Sequence, residues 1–167
     1  VDKQSDYYMN MAYSGNKTEI ELRKQWVQTC TEDTYLPRIQ NQPINISPFI
    51  MKDLVLFSHE SCTRSIPNIY DGLKPTQRKI LYTLFSLSEK DALKPRKVFE
   101  LTAKTAEKAQ YHHGDSSLNG TIMGMMQTWC GSNNIPLLGH EGFIGTRFGL
   151  GQDGGAPRYV YSCLSKI

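Results

Sequence analysis

Ile20, Trp26 and Val27 stand in an otherwise polar stretch, at spacings that predict a surface helix over roughly Lys17 to Thr29. Asn, Gln, Thr and Pro then dominate from Cys30 to Ser47, with Pro37, Pro43 and Pro48 as punctuation, so this part reads as a linker. A compact domain is expected to open near Ser47. There a hydroxyl able to cap a helix precedes Pro48, which a first helical turn tolerates, and Phe49, Ile50, Leu54 and Phe57 follow at helical spacing.

Asp71-Gly72 is a turn pair, and Pro75 begins the next helix, whose apolar face is Ile80, Leu81, Leu84 and Phe85, with Arg78 and Lys79 one turn earlier. A further helix, from about Arg96 to Gln110, puts Lys97, Lys104 and Lys108 on one stripe, which a solvated surface explains by itself. Asp115 and Ser116 are expected to cap a fourth, with Leu118, Ile122, Met125, Met126 and Trp129 as its apolar face. The opposite face holds Ser116, Gly120, Gly124 and Gln127. Each glycine costs about 1 kcal/mol relative to Ala in a helix interior, so this face either admits close approach by a helix or by DNA, or simply tolerates the pair.

Past Gly131 the pattern changes. Seven of the 13 glycines fall between Gly139 and Gly155, which predicts short strands with tight turns, or a long flexible loop. Helices followed by such a region are ordered as in a helix-turn-helix with a wing.

Composition narrows this picture. Of 167 residues, 39% are hydrophobic and 21% charged, as in a globular domain with a real core, and no apolar run approaches the roughly 20 residues of a membrane span. The chain opens on Val1 without a signal-like layout and stops just after a strand-like run, so it reads as a piece of something longer. Cys30, Cys62, Cys130 and Cys163 form no C-x-x-C pair and read as reduced, buried thiols rather than zinc ligands. Net charge is only +3, but from Arg64 to Gln110 ten Lys or Arg stand against five Asp or Glu, a local excess of five. A basic block inside a folded region is a footprint for nucleic acid, though a solvated surface also produces one.

Five ordered blocks are more specific. They are Arg64-Ser65-Ile66-Pro67 running on through Asp71-Gly72-Leu73-Lys74-Pro75 to Gln77-Arg78-Lys79, then Tyr111-His112-His113-Gly114, Gly131-Ser132-Asn133-Asn134, Gly145-Thr146-Arg147 and Ala156-Pro157-Arg158-Tyr159. Together they resemble the breakage-reunion region of the type IIA DNA topoisomerases. The paired histidines and the Gly-Ser-Asn-Asn block are similar to the eukaryotic and large-DNA-virus branch. So are Met11-Ala12-Tyr13-Ser14 and Arg23-Lys24-Gln25-Trp26, which look like the tail of that branch's metal-binding (TOPRIM) domain and its connector. Gln152 in place of a usual Lys, Gly154-Gly155 in place of Ala or Ser, and a bacterial-looking Asp115 depart from the branch and suggest a divergent viral or protist source.

The resemblance implies an α+β fold, a winged-helix DNA-cleavage domain (helix-turn-helix plus β wing) with an N-terminal helical connector. Residues 1–46 would be the TOPRIM tail and linker, and 47–167 the winged-helix domain. It implies an ATP-dependent enzyme that cuts both strands of one duplex through tyrosine-5′-phosphate bonds and passes another through. Tyr159 would be the nucleophile, Arg158 and Arg64 would stabilise the charge gathering on phosphate, and His113 would move a proton or position the phosphate. Lys74, Arg78, Lys79, Lys97, His112, Ser116 and Arg147 are expected at the DNA. Mg²⁺ and ATP are expected outside this stretch, which has no Asp-x-Asp pair with a companion glutamate cluster and no phosphate loop. The implied partners are double-stranded DNA and a second copy of the chain, with no membrane. The implied setting is the nucleus, or the host cytoplasm and viral factory. Without the joint pattern, Tyr159 beside Tyr161 and Cys163 reads as an ordinary strand residue, and the chain as a non-enzymatic winged-helix DNA-binding module.

Overall fold

The computed structural model describes residues 4–31, 35–37 and 42–166, and the chain divides into two compact units, Val1–Ile66 and Pro67–Ile167. In the first, α1 (Ser5–Tyr13) and α2 (Lys17–Gln28) form a hairpin fastened by Arg23. Its guanidinium donates to the carbonyls of Met11 (2.9 Å), Ala12 (2.9 Å) and Ser14 (3.2 Å), where α1 ends. The last carbonyls of a helix have no partner within it, so a cation there supplies both the missing donors and a favourable charge. One turn on, Trp26 is buried with Met11, Ile50 and Val55. The two family-like blocks at residues 11–14 and 23–26 are therefore joined by hydrogen bonds and by shared burial.

α3 (Ile46–Pro48), a π-helical turn (Phe49–Leu54) and α4 (Val55–Ser65) follow without a break. The helix opens at Asn45 as its cap, two residues before the Ser47 expected from the sequence. The linker expected from Cys30 to Ser47 lies partly outside the described residues; within it, the Leu36 N–H donates to the Asp53 carboxylate at 2.9 Å. The division between units falls after Ile66 and not near Ser47. The cause is burial: Ile50 and Val55 turn into the Met11 and Trp26 cluster.

In the second unit, α5 (Pro75–Phe85) starts with Pro75 as predicted, and the Gln77 side chain accepts the Lys74 N–H at 2.8 Å. α6 (Glu89–Leu93) is short and is capped by the Ser88 hydroxyl. β1 (Arg96–Lys97) leads directly into α7 (Val98–Lys108), and then come α8 (Asp115–Met126), β2 (Leu138–Glu141) and β3 (Tyr161–Leu164). The sheet is antiparallel in the order β1-β3-β2, with Tyr161 facing Lys97 on one side and Glu141 on the other. Ile80, Leu84, Leu101, Leu118, Ile122, Met126 and Val160 fill the core between α5, α7, α8 and the sheet. Three helices with a β2-β3 hairpin fit the winged-helix description and make the unit α+β.

Several expectations need correction. Lys97 is in β1 and not on the α7 stripe with Lys104 and Lys108, because pairing with β3 holds it extended. Gly114, and not Asp115 or Ser116, is the N-cap of α8, so the two polar residues occupy its first turn. α8 ends at Met126, where Asn133 Nδ2 donates to the carbonyls of Gly124 (2.7 Å) and Gln127 (2.9 Å); Trp129 packs on the core from the following bend. The four cysteines are free, but none is buried, and Cys62 and Cys130 are exposed. Among the described residues no helix is long and apolar enough to cross a membrane.

Candidate active site

Tyr159 does not lie in a strand. It occupies the turn before β3, and its N–H donates to the Ala156 carbonyl at 2.8 Å. The carbonyls around it are fixed from outside: the Val98 N–H donates to Val160 (2.9 Å) and the Phe99 N–H to Pro157 (3.2 Å). Val98 and Phe99 open α7, so amides that a helix leaves without partners are used to hold this turn. Val160, 1% exposed, roots the turn in the core, while Tyr159 itself stands 70% exposed. The Arg158 guanidinium lies 5.4 Å from the Tyr159 ring centroid. Tyr161 differs from Tyr159 in kind, being a half-buried residue paired on both sides within the sheet.

His113 and His112 precede α8, both exposed, with ring centroids 4.6 Å apart; His113 also meets the buried Tyr111 edge-on at 5.4 Å. Tyr111 is the anchor, and the histidines are displayed. No side chain caps α8, whose first turn carries the exposed Ser116, so the partial positive charge of the helix start is open to an anion. Ser116 and Pro157 line one cleft of about 550 Å³, together with Asn119, Gly120, Gln127 and the glycines of the 151–155 segment. The α8 start and the tyrosine turn thus share a concavity. Gly120 opens onto it, and a Cβ at Gly120 or Gly124 would meet nothing within 4 Å, so the glycine face is not filled by another backbone of this chain.

The other candidates are spread more widely. Arg64 is exposed in the last turn of α4, in the first unit, whereas His113, Arg158 and Tyr159 belong to the second. Arg78 grips Asp71 through Nη2 at 2.6 and 2.8 Å and Nε at 3.2 Å, which partly satisfies its charge. The Leu73 N–H, with Arg78, holds the Asp71 carboxyl below the usual carboxylate range. Lys79 donates to the Gln110 carbonyl at 3.2 Å and, with Arg78, Tyr82 and Lys108, lines a separate cleft of about 520 Å³. Lys74, Lys97 and Arg147 are exposed.

Sequence reasoning missed Asp153. Its carboxylate accepts from the Thr146 hydroxyl (2.6 Å) and the Thr146 N–H (2.9 Å), closing the glycine-rich loop on itself and keeping its own pKa below the usual range. Gly155 N–H donates to Phe143 at 2.8 Å and ties the loop stem shut. The usable signal was an Asp set among glycines, since a short carboxylate readily binds nearby backbone amides.

The DNA gyrase/topoisomerase IV family matches residues 64–167, and the family described as the C-terminal associated domain of TOPRIM matches residues 1–62. The chain is 44% identical over 161 residues to DNA topoisomerase 2 of Saccharomyces cerevisiae, covering 96% of this chain and 11% of that protein. It is 42% identical over 158 residues to probable DNA topoisomerase 2 of Dictyostelium discoideum, covering 95% and 10%. It thus spans about a tenth of the length of these relatives. The crystal structure of the Plasmodium falciparum topoisomerase II DNA-binding, cleavage and re-ligation domain matches with a TM-score of 0.75 at 38% identity, over 99% of this chain and 22% of that one.

Proposed function

The chain belongs to the DNA gyrase/topoisomerase IV family of type II DNA topoisomerases, and on that premise we propose that it carries the strand-cleaving part of an enzyme that changes DNA topology. The observation that carries this reading is Tyr159: an exposed phenol on a main chain held from three sides, with a guanidinium beside it. The Tyr159 oxygen attacks the phosphorus of a phosphodiester and keeps the 5′ phosphate. The bond to the 3′ oxygen breaks, that oxygen leaves with a proton, and the reverse displacement reseals the strand. Charge grows on the non-bridging oxygens, where Arg158, Arg64 and the α8 start supply fixed positive ends. His113 positions the phosphate or carries the proton, and Lys74, Lys79, His112, Ser116, Lys97 and Arg147 hold the DNA backbone, with Arg78 joining if Asp71 releases it.

Among the described residues no three His, Cys, Asp or Glu side chains come together as a metal site, and Asp153 is taken up by Thr146. No step here is routed through a metal. We infer Mg²⁺ and ATP for the whole enzyme, held by other parts of it. Two copies would cut opposite strands, in a nucleus or, for a large DNA virus, in the host cytoplasm.

The test traps the full-length protein on end-labelled duplex and compares wild type with Tyr159→Phe and Tyr161→Phe. Covalent complex should vanish only in Tyr159→Phe, with salt-dependent binding retained. Complex that persists in that variant removes Tyr159 from the reaction. Binding without any covalent complex in wild type returns the chain to a non-enzymatic DNA-binding module.

A further inference from the structure

The loop between Gly145 and Gly155 displays apolar side chains at its tip. Phe148 is fully exposed and Leu150 is 76% exposed, in a unit that buries most of its large aliphatic residues. The display is built. Thr146 is bonded to Asp153 through both hydroxyl and amide, and its own carbonyl accepts the Gly151 N–H at 3.0 Å. Leu150 N–H bonds the Arg147 carbonyl (3.2 Å) and Gln152 N–H that of Gly149 (2.9 Å). Leu150 itself is held at φ +50°, a left-handed conformation that a branched aliphatic residue adopts only under constraint. A chain this tightly folded has little freedom to withdraw Phe148 from water.

We propose that Phe148, supported by Leu150, is a wedge that inserts against a base step of the duplex held at the tyrosine turn. This rests on the cleavage reading above. Two observations favour DNA over a protein surface. Arg147 immediately precedes Phe148 and is exposed, while Asp153, the acid of this loop, already accepts bonds from Thr146, so the tip offers a cation beside its apolar group. Two side chains on one turn are also far too small for a stable protein interface, which needs about 800 Å² from each partner, yet they match the single apolar residues that unstack base steps. The loop stem ties the wedge to the chemistry: a Cβ at Gly155 would touch the Val160 side chain at 3.1 Å, and one at Gly142 the Tyr159 carbonyl oxygen at 3.5 Å.

The experiment uses the full-length protein and a set of duplexes with 2-aminopurine placed in turn at each step around a mapped cleavage position. Wild type should raise emission at one step, where a base is unstacked. Phe148→Ala should abolish the rise and weaken binding about tenfold, the scale of one lost base–aromatic stack, while Phe148→Trp restores both. Because the Phe148 side chain is exposed to solvent, the melting temperature should not move. Phe148→Ala with unchanged emission and affinity overturns the wedge, as does a wild type that binds and cleaves with no emission change at any step. A change in self-association with unaltered DNA signals would assign the tip to a protein contact instead. Wild type that forms no covalent complex at all defeats the cleavage reading itself, an outcome visible in the same samples.

Discussion

Replacing Gly145 by Ala is a direct strike at the loop beside the tyrosine turn. Gly145 has φ +96°, and a Cβ there would lie 2.7 Å from the Gly151 Cα and 2.9 Å from the Gly151 carbonyl oxygen, both main-chain atoms. An L-residue in left-handed backbone carries a penalty of about 1–2 kcal/mol. To restore ordinary carbon contact at ~3.5 Å, Gly151 must retreat by roughly 0.8 Å. Its N–H bond to the Thr146 carbonyl is 3.0 Å long, so the same retreat stretches it to about 3.8 Å, outside hydrogen-bond range. Losing that bond adds about 1 kcal/mol, for a total near 2–3 kcal/mol confined to the loop. The assay is amide hydrogen exchange. Opening that much easier speeds exchange at Gly149 to Gly154 by roughly 30- to 140-fold, since each 1.4 kcal/mol is tenfold. Amides in the middle of α7 and α8 should keep their rates. Unchanged loop rates would refute the contact argument, and uniform acceleration through α7 and α8 would show that the loop is not a separate unit of stability.

The opposite outcome is expected at Gly120, where a Cβ meets nothing within 4 Å inside α8. Gly120→Ala should stabilise the chain by about 0.5–1 kcal/mol and raise the melting temperature by several degrees; a lowered melting temperature contradicts this. If DNA enters the cleft that Gly120 lines, the same variant binds duplex more weakly despite its greater stability. Asp153 makes the loop acid-sensitive in a defined sense. Its folded pKa is depressed by Thr146, so its contribution is fully present above the unfolded value, near ~4, and is lost as pH falls through the lowered folded value. Loop exchange corrected for intrinsic rate should therefore stay flat down to about pH 4 and rise below it. In Asp153→Asn the loop should be looser at every pH and without that rise; an acid response equal to wild type would assign the effect to other carboxylates.

Helix existence was legible wherever one apolar face recurred: α2, α5 and α8 each fall within a few residues of their predicted spans. Failures came where tertiary pairing overrode local pattern. Lys97 has helical neighbours and a helical period, yet it is extended because β3, some sixty positions away, supplies its partner. Tyr159 alternates with Tyr161 and Cys163 like a strand, yet three main-chain hydrogen bonds curl it into a turn. The unit boundary was misplaced because Ile50 and Val55 show that they are apolar and not which core they enter. Asp153 was invisible for a related reason: its partner Thr146 is seven residues back, and only the closed loop makes them neighbours.

The way Tyr159 is held bears on how its substitution can be interpreted. Every bond that fixes the turn is made by main chain: Tyr159 N–H to Ala156, Val98 N–H to Val160, Phe99 N–H to Pro157. The Tyr159 side chain contributes none of them, and its main contact is the Arg158 guanidinium over its ring. Phe keeps the ring, the backbone donor and nearly all of the cation–π attraction, which depends on the ring face and not on the hydroxyl. The turn, its root at Val160 and the α7 amides should survive Tyr159→Phe intact. A side chain anchored by its own packing would mix loss of position with loss of reactivity. Here position belongs to the backbone, so any fall in covalent complex measures the missing oxygen alone, while Arg158→Ala, which leaves that oxygen in place, reports separately on the cation.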